Sequence, residues 1–155
     1  MQDAPTPAKS KTLATWLAFL VGTLGLHRFY LYGWRDRLGW AMPVLTLIGL
    51  AGLRRVERYG QDDTLSWLLL PVLGFTVAGT MLQAILYGLT TDARWHARHN
   101  PGLTDPAMAS HSGWAVVIAV VLALMVGATV LMATIAFSGQ RYFEYQVEEA
   151  RKISQ

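Results

Sequence analysis

The sequence contains no cysteine, which excludes disulfides, thiolate metal sites and cysteine nucleophiles. Charge is the second scarcity. Only 15% of the 155 residues are Asp, Glu, Lys or Arg, where soluble domains carry about a quarter. The deficit is concentrated, since no charged side chain occurs from Thr64 to Thr91 or from Ser112 to Gln140. A helix needs about 20 mainly apolar residues to cross a bilayer, and both gaps exceed that. With 53% hydrophobic residues and a mean hydropathy of +0.31, the chain reads as an integral membrane protein.

Further absences narrow the function. No carboxylate lies inside an apolar run, unlike the intramembrane acids of ion-coupled transporters. There is no Gly-x-Ser-x-Gly elbow, so Ser110, His111 and Ser112 read as loop residues. A haem between helices requires buried axial ligands, and only His27 lies near a span. No cofactor is expected. The net charge of +3 comes from basic residues that flank the apolar runs, a pattern of membrane orientation and headgroup contact rather than of nucleic-acid binding. Lys9 and Lys11 ahead of an apolar segment imitate a signal peptide. Thr23 and Gly25 make a weak cleavage pair, however, and three more apolar runs follow, so the segment is expected to stay.

In chain order, residues 1–11 form a polar tail, and 12–58 a helical hairpin with spans over 12–32 and 38–53 joined by Gly33-Trp34-Arg35-Asp36-Arg37. Pro43 is placed in the first turns of the second span, where proline costs least. Residues 59–90 hold a connection and a third span, with Pro71, Gly74 and Gly79 predicting a kink. Asp62, Asp63 and Thr64 suit a helix N-cap, the competing reading being a catalytic carboxylate pair. Residues 91–112 form an extramembrane loop with a short helix, 113–138 a fourth span and 139–155 an amphipathic tail. The expected fold is all-α with four transmembrane helices. Eight Lys and Arg on the N-terminal side against five opposite place both termini in the cytoplasm.

Two stripes of small residues repeat every four positions: Ala14 and Ala18 with Gly22, and Ala115, Ala119, Ala123 and Gly127. Such stripes let another helix approach closely. Asp92, His96 and His99 share one helical face, and carboxylate with imidazole suits zinc, copper or nickel. A surface helix with two histidines is the commoner arrangement, and no metal is assigned.

The hairpin carries a polar knot where the first span ends: Gly22, Gly25, His27, Arg28, Phe29 and Tyr30, then Gly33, Asp36, Arg37 and Gly39. Ionisable residues at a membrane lip can lock helices together or hold a ligand, and the lock is the leading reading. Gly-x-His-x-Phe-Tyr followed by glycine, with Asp36-Arg37-Leu38 in the turn, resembles the signature of the TM2 domain family over residues 11 to 55. Tyr87-Gly88-Leu89-Thr90-Thr91-Asp92 with Arg98-His99-Asn100-Pro101 is similar to an extended bacterial subgroup. Tyr32 intervenes in the usual pattern, and no Trp-x-x-Asp closes the second helix. The resemblance implies two helices joined by a short turn and a bacterial inner-membrane setting, and brings no reaction.

The function expected is that of a non-enzymatic accessory subunit or homo-oligomer that packs through its small-residue faces, with membrane lipids and a larger membrane complex or a second copy as partners. The alternatives are a passive pore or lipid or small-molecule binder, with Gln83 and the threonines lining a crevice, and a metal-dependent membrane enzyme built on Asp62/Asp63 or Asp92/His96/His99.

Overall fold

The computed structural model describes residues 8–102 and 111–154. Residues 1–7 of the expected tail lie outside that range, as does Ser110. Six α-helices follow one another among the described residues: α1 Lys11–Val21, α2 Leu26–Tyr32, α3 Arg37–Tyr59, α4 Thr64–Leu89, α5 Asp92–His99 and α6 Trp114–Ile153. A single 3₁₀ turn, Gly22–Leu24, separates the first two. Two of the helices, α4 and α6, are long and apolar enough to cross a membrane.

The expected first span over 12–32 is not one rod. It folds back on itself at Gly25, whose φ of 74° lies in the left-handed region that suits glycine. The return brings the two ends of the segment together. The Ser10 backbone N–H donates to the Tyr30 hydroxyl at 2.8 Å, and Lys9 Nζ donates to the Leu31 carbonyl at 2.6 Å. Helix α1, about 16 Å long at 1.5 Å per residue, therefore reaches only part of the way along α4 before the chain turns. Periodicity missed the reversal because the apolar run continues through it. The break leaves carbonyls to satisfy, and Thr46 Oγ1 donates to Thr23 O at 2.8 Å.

Helix α4 is the hub. Gly88, Ala84 and Thr80 meet Thr15, Ala18 and Gly22 of the hairpin in turn. On its other sides, Leu73 and Leu69 fill the space left by Gly49 and Gly52 of α3. Gly74 and Met81 lie against Thr134 and Gly127 of α6. A Cβ built on Gly127 would come within 2.7 Å of the Met81 Cβ. The small-residue ladder of α6 is thus used inside the chain: Ala119, Ala123 and Gly127 are buried, and Ala115 is exposed. Ala14 and Ala18 are likewise fully buried. The outward face of α6, with Leu124, Met125 and Met132, is exposed.

Pro43 is the seventh residue of α3, not part of its first turn. It removes the N–H that would have bonded the Gly39 carbonyl, and Gly25 packs against that same carbonyl. These contacts also revise the topology. The N-terminal residues lie with the end of α4 and the start of α6, because Lys11 Nζ reaches Thr90 O at 2.8 Å and also Ser112 Oγ. The far part of α6 lies with the α3–α4 turn, because Arg141 Nη2 donates to Gln61 Oε1 at 3.0 Å. The two ends of the described chain are therefore at opposite ends of the bundle. Redistributed accordingly, Lys9, Lys11, Arg28, Arg35, Arg37, Arg94 and Arg98 stand against Arg54, Arg55, Arg58, Arg141, Arg151 and Lys152. The eight-to-five bias disappears.

Gly127→Leu is expected to lower the melting temperature of the detergent-solubilised protein sharply. A variant that kept its melting temperature and lost only oligomer size would return the ladder to a partner interface.

Candidate functional site at the α2–α4–α5 lip

The knot forms around Arg28 and Asp36. Arg28 Nε and Nη2 donate to the two Asp36 carboxylate oxygens at 2.5 and 3.2 Å, a bidentate pairing. Asp36 also accepts the Gly39 N–H at 2.9 Å as the N-cap of α3. The Phe29 ring lies over Gly39, where a Cβ would come within 2.6 Å, and stacks on Trp34 with centroids 5.0 Å apart. Gly33, at φ 82°, ends α2 and starts the turn. His27 is fully buried and its Nε2 meets Gln83 Oε1 of α4, while Nδ1 has no hydrogen-bond partner among the described residues. Of the expected lock residues, Arg37 is exposed in the first turn of α3, Gly22 packs on Thr80 of α4, and the Tyr30 hydroxyl accepts from Ser10.

The same device occurs twice. At the opposite end of α3, Arg55 clamps Asp63 at 2.9 and 2.7 Å. Asp63 caps α4 by accepting the Ser66 N–H at 3.0 Å. Trp67 Nε1 donates to Gln61 O just as Trp40 Nε1 donates to Trp34 O. Arg55 lies over Tyr59, and Arg28 over Tyr32, each at 5.0 Å. Gly60 repeats Gly33. The shared pattern Arg-x-x-x-Tyr-Gly-x-x-Asp-x-Leu-x-Trp recurs at an offset of 27 residues, and sequence reasoning missed it. The expected Asp63 cap is present, and its carboxyl is held well below the usual range, first by Arg55 and then by Ser66. A carboxylate so engaged is poorly suited to act as a base.

Helix α5 is not a free surface helix. Trp95 is buried, and its indole N–H donates to Lys9 O at 2.8 Å. Asn100 Oδ1 accepts the Lys9 backbone N–H at 2.7 Å. Asp92 binds Lys11 Nζ at 2.5 Å and accepts from Ser112 N and Oγ at 3.0 and 2.6 Å. Lys11, a fully buried cation, is compensated in this way. The suggested metal face is therefore spread over different tasks. Asp92 serves Lys11, His96 Nδ1 lies 3.1 Å from Asn100 Nδ2, and His99 packs on Trp95 with centroids 4.4 Å apart. No group of three metal-ligating side chains occurs among the described residues.

Docking α5 in this position closes a cavity of about 400 Å³ between α2, α4 and α5. Arg28, Arg94 and Arg98 line it with His99, and Tyr32, Tyr87 and Trp95 supply aromatic walls. Gln83 and Leu86 of α4 and its C-cap Thr90 complete it. Burial, with Arg98 and Lys9 nearby, pushes the His99 pKa below its ordinary value. The lip and the histidine helix do come together, as Tyr32 packs edge-on against His99 at 5.9 Å. Their convergence on a shared hollow lies beyond sequence reasoning, because it joins residues more than 60 positions apart.

Residues 7–54 match the family model of the TM2 domain, the stretch that holds the knot and most of α3. No curated protein and no solved structure matches the chain. The TM2 domain and the two long apolar helices point to a membrane protein.

The Lys11–Asp92 tie makes a pH-dependent prediction. Lys11, and then Ser112, hold the Asp92 carboxyl below the usual range. Such a group stabilises the fold above the unfolded carboxylate value of about 3.9 and stops doing so as pH falls through its native value. Asp92→Asn is expected to lower the melting temperature at pH 7. The gap from wild type should close as pH drops below about 4, and a gap independent of pH would remove this assignment.

Proposed function

We propose that this chain, whose residues 7–54 match the TM2 domain model, is a non-enzymatic membrane protein whose function is to bind a small molecule or lipid head at the α2–α4–α5 cavity. The observation that carries the reading is the cavity itself, an arginine-lined, aromatic-walled hollow at one end of an apolar bundle. Its volume falls within the range of small-ligand pockets. In this reading α3, α4 and α6 cross the bilayer, while α1 and α2 form a hairpin that enters to part of its depth. A broken backbone at that depth is tolerated where protein covers it, and Gly22 and Gly25 are both buried. With seven basic residues at one end and six at the other, charge gives no orientation. A bacterial inner membrane remains the setting suggested by the resemblance.

A second reading keeps the accessory subunit or homo-oligomer, now through a different surface. Helix α6 is 40 residues long, about 60 Å, twice the hydrocarbon thickness of about 30 Å. Beyond the charge at Arg141 it exposes Tyr142, Phe143, Tyr145 and Val147.

Native mass spectrometry of protein purified from its membranes in mild detergent separates the two. A small-molecule or lipid adduct is expected on wild type and lost from Arg94→Gln/Arg98→Gln. A reproducible second chain with no adduct would transfer the function to the accessory reading. Reporter tags on the two termini are expected on opposite sides of the membrane; tags on one side would restore an even number of crossings.

A further inference from the structure

The charge balance of the cavity identifies the chemistry of its occupant, given the binding reading above. We propose that it takes a phosphate ester, with the phosphate held between Arg94 and Arg98 and the organic body against the aromatic wall.

The lining contains three guanidinium groups and no carboxylate. Arg28 is matched by Asp36, which occupies its Nε and Nη2. Arg94 and Arg98 are exposed, and among the described residues neither has an ion-pair partner. Asp92, the acid of α5, is committed to Lys11 and Ser112. Two positive charges, four residues apart on one helix, are therefore left at the mouth. They complement the charge of about two carried by a phosphomonoester at neutral pH, and the planar guanidinium fork matches phosphate oxygens. A free phosphate would leave most of the roughly 400 Å³ unfilled. The remaining wall, Tyr87 and Trp95, suits an organic substituent.

The repeated turn provides an internal comparison. At the other end of α3, Arg55 and Tyr59 stand where Arg28 and Tyr32 stand here, but Glu57 lies among Arg54, Arg55 and Arg58 in the corresponding hollow. The Arg–Asp clamp is thus a structural device shared by both turns. The roof of α5, with its two unmatched arginines, is found at one turn only.

Phosphate chemistry can arrive from two sources. Leu86, on the cavity wall and 56% exposed, opens a path from the apolar side, while Arg94 and Arg98 open one from water. The test uses the full chain in uncharged maltoside micelles and reads tryptophan fluorescence and native mass. The probes are phosphatidic acid, glycerol 1-phosphate and oleate, whose head is a carboxylate. Phosphatidic acid is expected to bind at least tenfold more tightly than oleate, and Arg94→Gln/Arg98→Gln to lose at least tenfold of that affinity with an unchanged melting temperature. Binding of glycerol 1-phosphate as well supports a water-borne ester, and binding of phosphatidic acid alone a lipid headgroup. Equal binding of oleate and phosphatidic acid, both weakened by the double variant, overturns the phosphate assignment and leaves the binding function standing. Probe binding unaffected by the double variant overturns both.

Discussion

Close approach to α4 is the constraint on which the rest of the bundle depends. The hairpin, α3 and α6 each reach it where one side of the contact has no side chain or only a small one: Gly22 on Thr80, Gly49 on Leu73, Gly88 on Val120 and Gly127 on Met81. Lipid tails are as apolar as leucine, so helices in a bilayer gain from close van der Waals contact rather than from escaping solvent. Glycine and alanine convert a generic apolar helix into one with a defined neighbour. The position of α4 in turn brings Gln83 under His27 and Tyr87 beside Trp95. The cavity is a consequence of that packing.

The polar residues then fix the ends. Each of the two turns joins a helix terminus to the one before it through an arginine–aspartate clamp, the aspartate also capping the new helix. One carboxylate thus satisfies a backbone donor and a guanidinium together at each turn. The buried Lys11 performs the corresponding task between α1, the end of α4 and the start of α6.

Much of this was legible in the chain. The helical segments follow from uncharged runs, Asp63 from its position ahead of an apolar run, and the turn over residues 33–37 from its glycine and the His-Arg-Phe-Tyr group before it. The reversal at Gly25 was not, because an apolar run carries no mark of direction and both arms of the hairpin have the same composition. Gly22 and Gly25, three residues apart, are the available signal, but Gly22 also fits a stripe of small residues with Ala14 and Ala18. The repeated Arg-x-x-x-Tyr-Gly-x-x-Asp turn was fully visible at its offset of 27 residues and required only a self-comparison. The cavity was out of reach in principle: Arg28, Gln83 and Arg98 become neighbours only once α4 and α5 are docked. Ala119, Ala123 and Gly127 of the small-residue ladder pack inside the chain while Ala115 is exposed, and a stripe does not say whether its partner belongs to the same chain.

The hairpin's dependence on distant partners also sets an order of events during synthesis. His27 waits for Gln83, 56 residues later, Lys11 for Asp92, 81 residues later, and Lys9 for Asn100, 91 residues later. At about 5–20 residues per second, the ribosome takes several seconds to supply them. Until then the break over residues 22–25 and the Lys11 ammonium lack the partners that satisfy them in the fold. The polar contacts that seat the first helices therefore form only once residues translated much later are available.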